Sequence, residues 1–197
     1  MRRLLIVVAL ALPAFAQAAT WTLDPAHTSV QFSVRHLMVS TVRGAFGKVT
    51  GSVEADEKDL TRSKIQATID TASIDTRVEK RDAHLKSPDF LDVARYPTIT
   101  FVSKRIEQAD PGHFKVTGDL TLHGVTREVS LDVEGPTPEI KDPRGNTRAG
   151  AQATTKINRK DFGVVWNQVL ETGGVAVGDE VTITIDVEAT KDKAAGG

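Results

Sequence analysis

Cysteine is absent from this 197-residue chain, which excludes disulfides, Cys-rich zinc sites and thiol catalysis. Aromatic residues are scarce, at 5%, with one Tyr and two Trp. A membrane-spanning barrel needs aromatic girdles at both interfaces, and so few rings cannot build two. Charge of one sign is lacking too. The net charge is −1, which gives no electrostatic footprint for nucleic acid. There is no Gly-x-Ser-x-Gly elbow, no glycine-rich phosphate loop and no dinucleotide fingerprint. The histidines (His27, His36, His84, His113 and His123) are scattered, and no pair has zinc-protease spacing. The motif content therefore points to no catalytic residue, no metal and no cofactor.

The only long apolar run is at the N-terminus. Arg2 and Arg3 precede Leu4 to Leu12, and Ala16-Gln17-Ala18 forms a small-x-small site. The run is too short to span a bilayer, and the pattern is that of a secretory leader. A cleavable signal peptide is expected over residues 1–18. The remainder, in a chain 40% hydrophobic and 26% charged, suits one domain with its own core. Residues 192–197 read as a disordered tail.

Between these ends the chain alternates. Phe114 to Leu122 and Val125 to Val133 are two period-two runs joined by His123-Gly124, a hairpin signature. Thr28–His36 carries Val30, Phe32 and Val34 on one face, with His36 in phase. Val42–Ala55 shifts its apolar phase by one residue beside Gly47, which predicts a bulge and a bend. Further strands are marked by Ile65, Ala67 and Ile69, by Ile99 and Phe101, by Arg148–Ile157, and by Val181 to Val187. Asp75–Lys86 breaks the alternation and reads as a helix, with Thr76 and Glu79 as a capping box and Val78, Ala83 and Leu85 inward. Gly173-Gly174 and Gly178-Asp179 read as breakers. The expected fold is all-β: an eight-stranded antiparallel barrel with one inserted helix. A two-sheet sandwich fits the same periodicity.

Size along the inward faces is informative. Most strands offer Val, Ile, Leu or Phe, but one offers Ala149, Ala151 and Ala153. Empty space there costs about 24 cal/mol per Å³. Either Phe32, Phe46 and Phe101 reach across to fill it, or an apolar ligand does. His36 has three readings: a hydrogen-bonded core histidine, a headgroup contact or a metal ligand. Arg43, Arg148 and Arg159 fall in or near polar loops, where they serve solubility or meet an anionic headgroup. Asp119, Glu128, Asp132 and Glu134 fall on solvated strand faces.

The chain from about Trp21 to Lys191 resembles the YceI-like family of periplasmic lipid-binding proteins. The resemblance rests on His27-Thr28-Ser29-Val30-Gln31-Phe32-Ser33-Val34-Arg35-His36, Gly44-Ala45-Phe46 and Ile74-Asp75-Thr76. It continues in Arg81-Asp82-Ala83-His84-Leu85, Asp89-Phe90-Leu91, Tyr96-Pro97, Gly118 to Thr126, Lys160-Asp161-Phe162-Gly163 and Val177 to Val181. It implies a lipocalin-like barrel over residues 19–191 and a periplasmic location. It also implies a long apolar tunnel for a polyisoprenoid, an isoprenoid quinone or a fatty amide. His36, Phe46, Leu85, Phe90 and Phe162 then become expected wall or mouth residues. Phase and size add Phe32, Phe101, Ala149, Ala151, Ala153 and Trp166. The expected partner is a long-chain lipid, with no nucleic acid and no membrane span, and with a homodimer left open. Two rival readings stand beside a carrier: a lipid- or quinone-modifying enzyme using His36, and a structural stress protein with a filled core.

Overall fold

A computed structural model describes residues 18–171 and 173–193. The expected leader, apart from Ala18, and the tail beyond Lys193 lie outside the described residues. The strands are β1 (Ala19–Leu23), β2 (Ser29–His36), β3 (Ser40–Phe46), β4 (Val49–Ala55), β5 (Lys64–Asp70) and β6 (Ile74–Asp75). Helix α1 (Glu79–Lys86) follows, then β7 (Thr98–Asp110), β8 (His113–Leu122), β9 (Val125–Glu134), β10 (Ile140–Lys141) and β11 (Thr147–Asn158). The chain ends with the small hairpin β12 (Val169–Leu170) and β13 (Gly174–Val175), and with β14 (Val177–Lys191).

These segments make a closed antiparallel barrel with eight positions around the ring. Three positions are broken strands: β1 with β2, β3 with β4, and β5 with β6. The ring continues through β7, β8, β9 and β11 to β14, which pairs with both β1 and β2 along its other edge. Closure rests on β11 and β14, in register from Arg148↔Thr190 to Asn158↔Glu180. That pairing removes the free edges a sandwich would keep. The seam between β9 and β11 is short, running only from Gln152↔Glu134 to Thr154↔Asp132.

The breaks follow from local chemistry. Between β1 and β2, Asp24 accepts from the Ala26 N–H at 2.9 Å and turns the chain. At Gly47 the predicted bend is a full interruption, where the Gly47 N–H leaves the ladder for the Ser73 carbonyl at 3.2 Å. The β8–β9 turn places His123 at φ 52° and Gly124 at φ 72°, the backbone of a two-residue hairpin. A Cβ on Gly124 would lie 2.4 Å from the Tyr96 ring, so glycine is required there for two reasons.

Three expectations are corrected. The helix starts at Glu79, not Asp75, and has no side-chain cap. Thr76 instead gives its N–H to Asp82 at 2.9 Å, and Arg81 reaches back to the Thr76 hydroxyl (2.7 Å) and carbonyl (2.8 Å). Val78 and Ala83 are exposed rather than inward. Gly178-Asp179 lies inside β14, in an irregular stretch where the register with β2 shifts between Val177 and Val181.

The apolar faces point inward, and the outer face is polar. This is the reverse of a lipid-facing barrel. One end, called lower here, is plugged by Trp21, Leu23, Ala55 and Ala189. The upper end carries α1, and there Ile99, Leu122, Ile157 and Phe162 form the second packed cluster.

Candidate functional site

A cavity of about 310 Å³ lies between these clusters. Its wall is built by the inward residues of nearly every strand: Val30, Phe32 and Val34 of β2, Phe46 of β3, Ile65, Ala67 and Ile69 of β5, and Phe101 of β7. Leu120, Leu131, Ala151, Ala153, Val181, Ile183 and Ile185 complete the far side. Period-two alternation delivers this wall, since each strand turns every second side chain to the axis. The alanines of β11 leave room that the phenylalanines do not fill.

Four polar residues border the cavity. Thr28, Thr155 and Arg159 are in phase with the wall, Gln152 is exposed between Ala151 and Ala153, and each side chain already has a partner. The Thr28 hydroxyl donates to the Glu188 carbonyl at 3.2 Å. Thr155 donates to the Ser130 carbonyl at 2.8 Å, a bond that takes over where the β9–β11 ladder stops. Gln152 donates to Asp186 at 2.9 Å. Arg159, only 4% exposed, gives Nε to the Gly178 carbonyl (2.9 Å) and Nη1 to the carbonyls of Val164 (2.6 Å) and Trp166 (2.9 Å). Burial pulls its pKa down from the ordinary value, and the nearby Asp179 charge opposes that shift. The site therefore offers an apolar chain a wall of hydrocarbon and, among the described residues, offers a headgroup no polar side chain that lacks a partner.

The upper end is closed by a cap. Leu85 of α1, Phe90, Leu91 and Val164 face the cavity. A second layer covers them. Trp166 packs at a tilt against Phe90, with ring centroids 5.0 Å apart, and edge-to-face with His84 at 4.9 Å, while His84 Nε2 lies 2.9 Å from Asp89.

Seven of the eleven anticipated residues line the cavity: Phe32, Phe46, Leu85, Phe90, Phe101, Ala151 and Ala153. The other four do not. His36 is in phase with β2 but does not line the cavity; it ends the strand, opposite Ser40 and beside Val177, which does line it. Ala149 packs into the lower plug. Phe162 is 2% exposed inside the upper cluster, and Trp166 lies in the outer layer of the cap. Sequence reasoning missed the role of Arg159, assigning it to a polar loop. Its signal is weak: a lone Arg just beyond an alternating strand, in phase with Ile157.

Arg148 is not a solvated residue either. Its guanidinium holds Asp24 Oδ2 (2.6 Å), Asp142 Oδ2 (2.8 Å) and Glu188 at the lower end. It keeps the Asp24 and Asp142 carboxyls well below the usual range, with help from His27 and Asn146 respectively. Asp24, His27 and Glu188 have metal-like spacing, but the Arg148 cation already bridges the two carboxylates.

A family profile described as the YceI-like domain matches residues 21–189. The chain belongs to the YceI-like family. A UPF0312 protein of Staphylococcus aureus is 41% identical over 168 residues, covering 85% of this chain and 95% of that relative. The crystal structure of Burkholderia cenocepacia BcnA superposes with TM-score 0.73 at 27% identity, covering 85% of this YceI-like chain and 99% of that one. A polyisoprenoid binding domain from Saccharophagus degradans, implicated in plant cell wall breakdown, shares the fold. Its TM-score is 0.64 at 15% identity, with 87% and 98% of the two chains covered.

Proposed function

We propose that this YceI-like protein is a non-enzymatic carrier. It holds the apolar chain of a long amphiphile, such as a polyisoprenoid, an isoprenoid quinone or a fatty amide, inside the barrel. The observation that carries this reading is a 310 Å³ cavity with no free polar group on its wall. Left empty, it would cost about 7 kcal/mol at ~24 cal/mol per Å³. Water gains nothing there, because a buried water needs two to four polar partners. A hydrocarbon chain recovers the lost contacts.

Size limits the cargo. A cavity of ~150 Å³ binds benzene, so this one encloses about twelve carbons at the same density, which is part of the chain of a polyisoprenoid or a quinone. At about 0.8 kcal/mol per methylene they contribute roughly 10 kcal/mol gross, before the cost of association. Headgroup recognition inside the barrel has no residue to carry it, so the wall reads the chain and the headgroup stays outside. His36, the one anticipated acid or base, stands off the cavity, which disfavours an enzyme. The fold shared with the polyisoprenoid binding domain of Saccharophagus degradans is consistent with this reading. The leader motif at Arg2, Arg3 and Ala16-Gln17-Ala18 supports export, and the family resemblance supports the periplasm.

Native mass spectrometry of gently purified protein tests the reading. The expected result is an added mass that partitions into organic solvent and leaves a bare chain. Protein that stays at its bare mass after incubation with quinones and polyprenols would withdraw the carrier in favour of a structural barrel.

A further inference from the structure

The turn between β2 and β3 is built from the wrong residues for its shape. Leu37 and Met38 both have positive φ, at 50° and 58°. That backbone suits Asn-Gly in a two-residue hairpin, and a bulky side chain there is an outlier. No core repays the strain, since Met38 is 56% exposed and the next residue, Val39, is 78% exposed.

A second apolar tip stands beside the first. The Leu37 N–H donates to the Ala176 carbonyl at 2.8 Å, and the Ala176 N–H donates to the Gln168 carbonyl at 2.9 Å. This joins the turn to the β12–β13 hairpin, where Val169 is 79% exposed, and to the segment carrying Val165 at 62%. Val165 adjoins Val164, a cap residue. The exposed tips therefore sit on the structure that must move if a chain is to pass the upper end.

Charge completes the pattern. No acidic residue occurs from Pro25 to Val53, whereas Arg35, Arg43 and Lys48 do, Lys48 being paired with Asp70. Arg35 donates to the Met38 carbonyl at 2.7 Å and to Thr41 at 3.1 Å, and neither it nor Arg43 has an acidic partner among the described residues. An aliphatic tip flanked by unpaired arginines, as at Leu37–Val39, is the composition of a segment that lies in the interface of an anionic bilayer, and the neighbouring hairpin adds Val169 with one acid, Glu171.

We propose that the Leu37–Val39 turn and the Val165 and Val169 tips form a docking surface for an anionic lipid bilayer, seating the cap end of the barrel where an insoluble chain resides. The choice of a bilayer rests on the carrier reading, because a chain suited to this cavity has its reservoir in a membrane.

The test is the double variant Leu37→Asn, Met38→Gly, which gives the turn its preferred residues. Its melting temperature is expected to rise, so misfolding cannot mimic a docking defect. Wild-type protein should co-float with phosphatidylglycerol/phosphatidylethanolamine vesicles, less so at high salt. The variant should partition about tenfold more weakly. Equal partition of the two proteins, or none by the wild type, overturns the proposal. So does a wild-type dimer that the variant converts to monomer without any vesicle binding, because a second copy then covers the patch. Vesicle-free titration with farnesol keeps the two readings apart. Equal affinity in both proteins leaves the carrier standing whatever flotation shows, and no affinity in either withdraws the carrier while flotation still decides the surface.

Discussion

Ala151 sets the bore of the barrel. It lies opposite Val187 on β14 and faces the cavity. A phenylalanine there would place a benzene-sized ring in a space about twice what such a ring needs. Ala151→Phe should therefore fold with an unchanged or higher melting temperature while displacing about six carbons of cargo, roughly 5 kcal/mol at ~0.8 kcal/mol per methylene. Undiminished farnesol affinity in the folded variant would move the chain elsewhere. At the lower end, Arg148 makes a second residue-scale prediction. The folded Asp24 and Asp142 have depressed pKa values, so their stabilisation is fully present above the unfolded value of about 3.9 and is lost as pH falls towards the folded values. The urea midpoint should drop between about pH 5 and pH 2. In Arg148→Met it should start lower at pH 7 and drop less over the same range. A variant that retains the wild-type acid slope would place that linkage on other groups.

The segment from Val164 to Ala176 is held at its start by Arg159 and at its end by Asn167, whose amide bonds both backbone groups of Val177. Arg159 ties the loop carbonyls of Val164 and Trp166 to the Gly178 carbonyl of β14, and the two loop carbonyls have no backbone partner of their own among the described residues. Arg159→Met keeps the apolar stem and removes the donors. Each orphaned buried carbonyl costs about 1–3 kcal/mol, so the cap should loosen before the barrel does. Hydrogen exchange should quicken across residues 164–176 and stay slow in β8 and β9; uniform acceleration would make Arg159 a support of the whole fold. The contrast with those hairpin strands also shows what was legible in the sequence. β8, β9 and β2 were readable because one face meets the core and the other meets water, so every residue repeats the signal. β1 was missed because five residues with Trp21 and Leu23 inward are too short a run to stand out after an apolar leader. The cavity wall was readable for Phe32, Phe46, Phe101, Ala151 and Ala153 for the same reason of phase. His36 keeps the phase but ends its strand without lining the cavity, and phase carries no information about axial position. Arg159 and Trp166 depend on a loop folding back over the barrel mouth, a contact that no local pattern encodes.

For the molecule as a whole, the decisive quantity is the length of the space between its two plugs. Trp21, Leu23, Ala55 and Ala189 close the lower end, and Leu85, Phe90, Leu91 and Val164 close the upper. A chain enclosed between them gains about 0.8 kcal/mol for each methylene it buries, or about fourfold in affinity, and gains nothing once it meets a plug. Across a series of n-alkanols or short prenols, affinity should climb by that factor per carbon and level off near twelve carbons, the number scaled from the ~150 Å³ benzene cavity. Swapping the headgroup at constant chain length should change affinity far less, because Thr28, Gln152, Thr155 and Arg159 are already engaged. Isothermal titration would read both, with the negative heat-capacity change that apolar burial produces. A climb that continues well beyond twelve carbons would mean that the cap opens and the tail threads past Phe90 and Trp166. Affinity that follows the headgroup rather than the chain would place recognition outside the barrel and would overturn the reading of the cavity as a ruler for hydrocarbon.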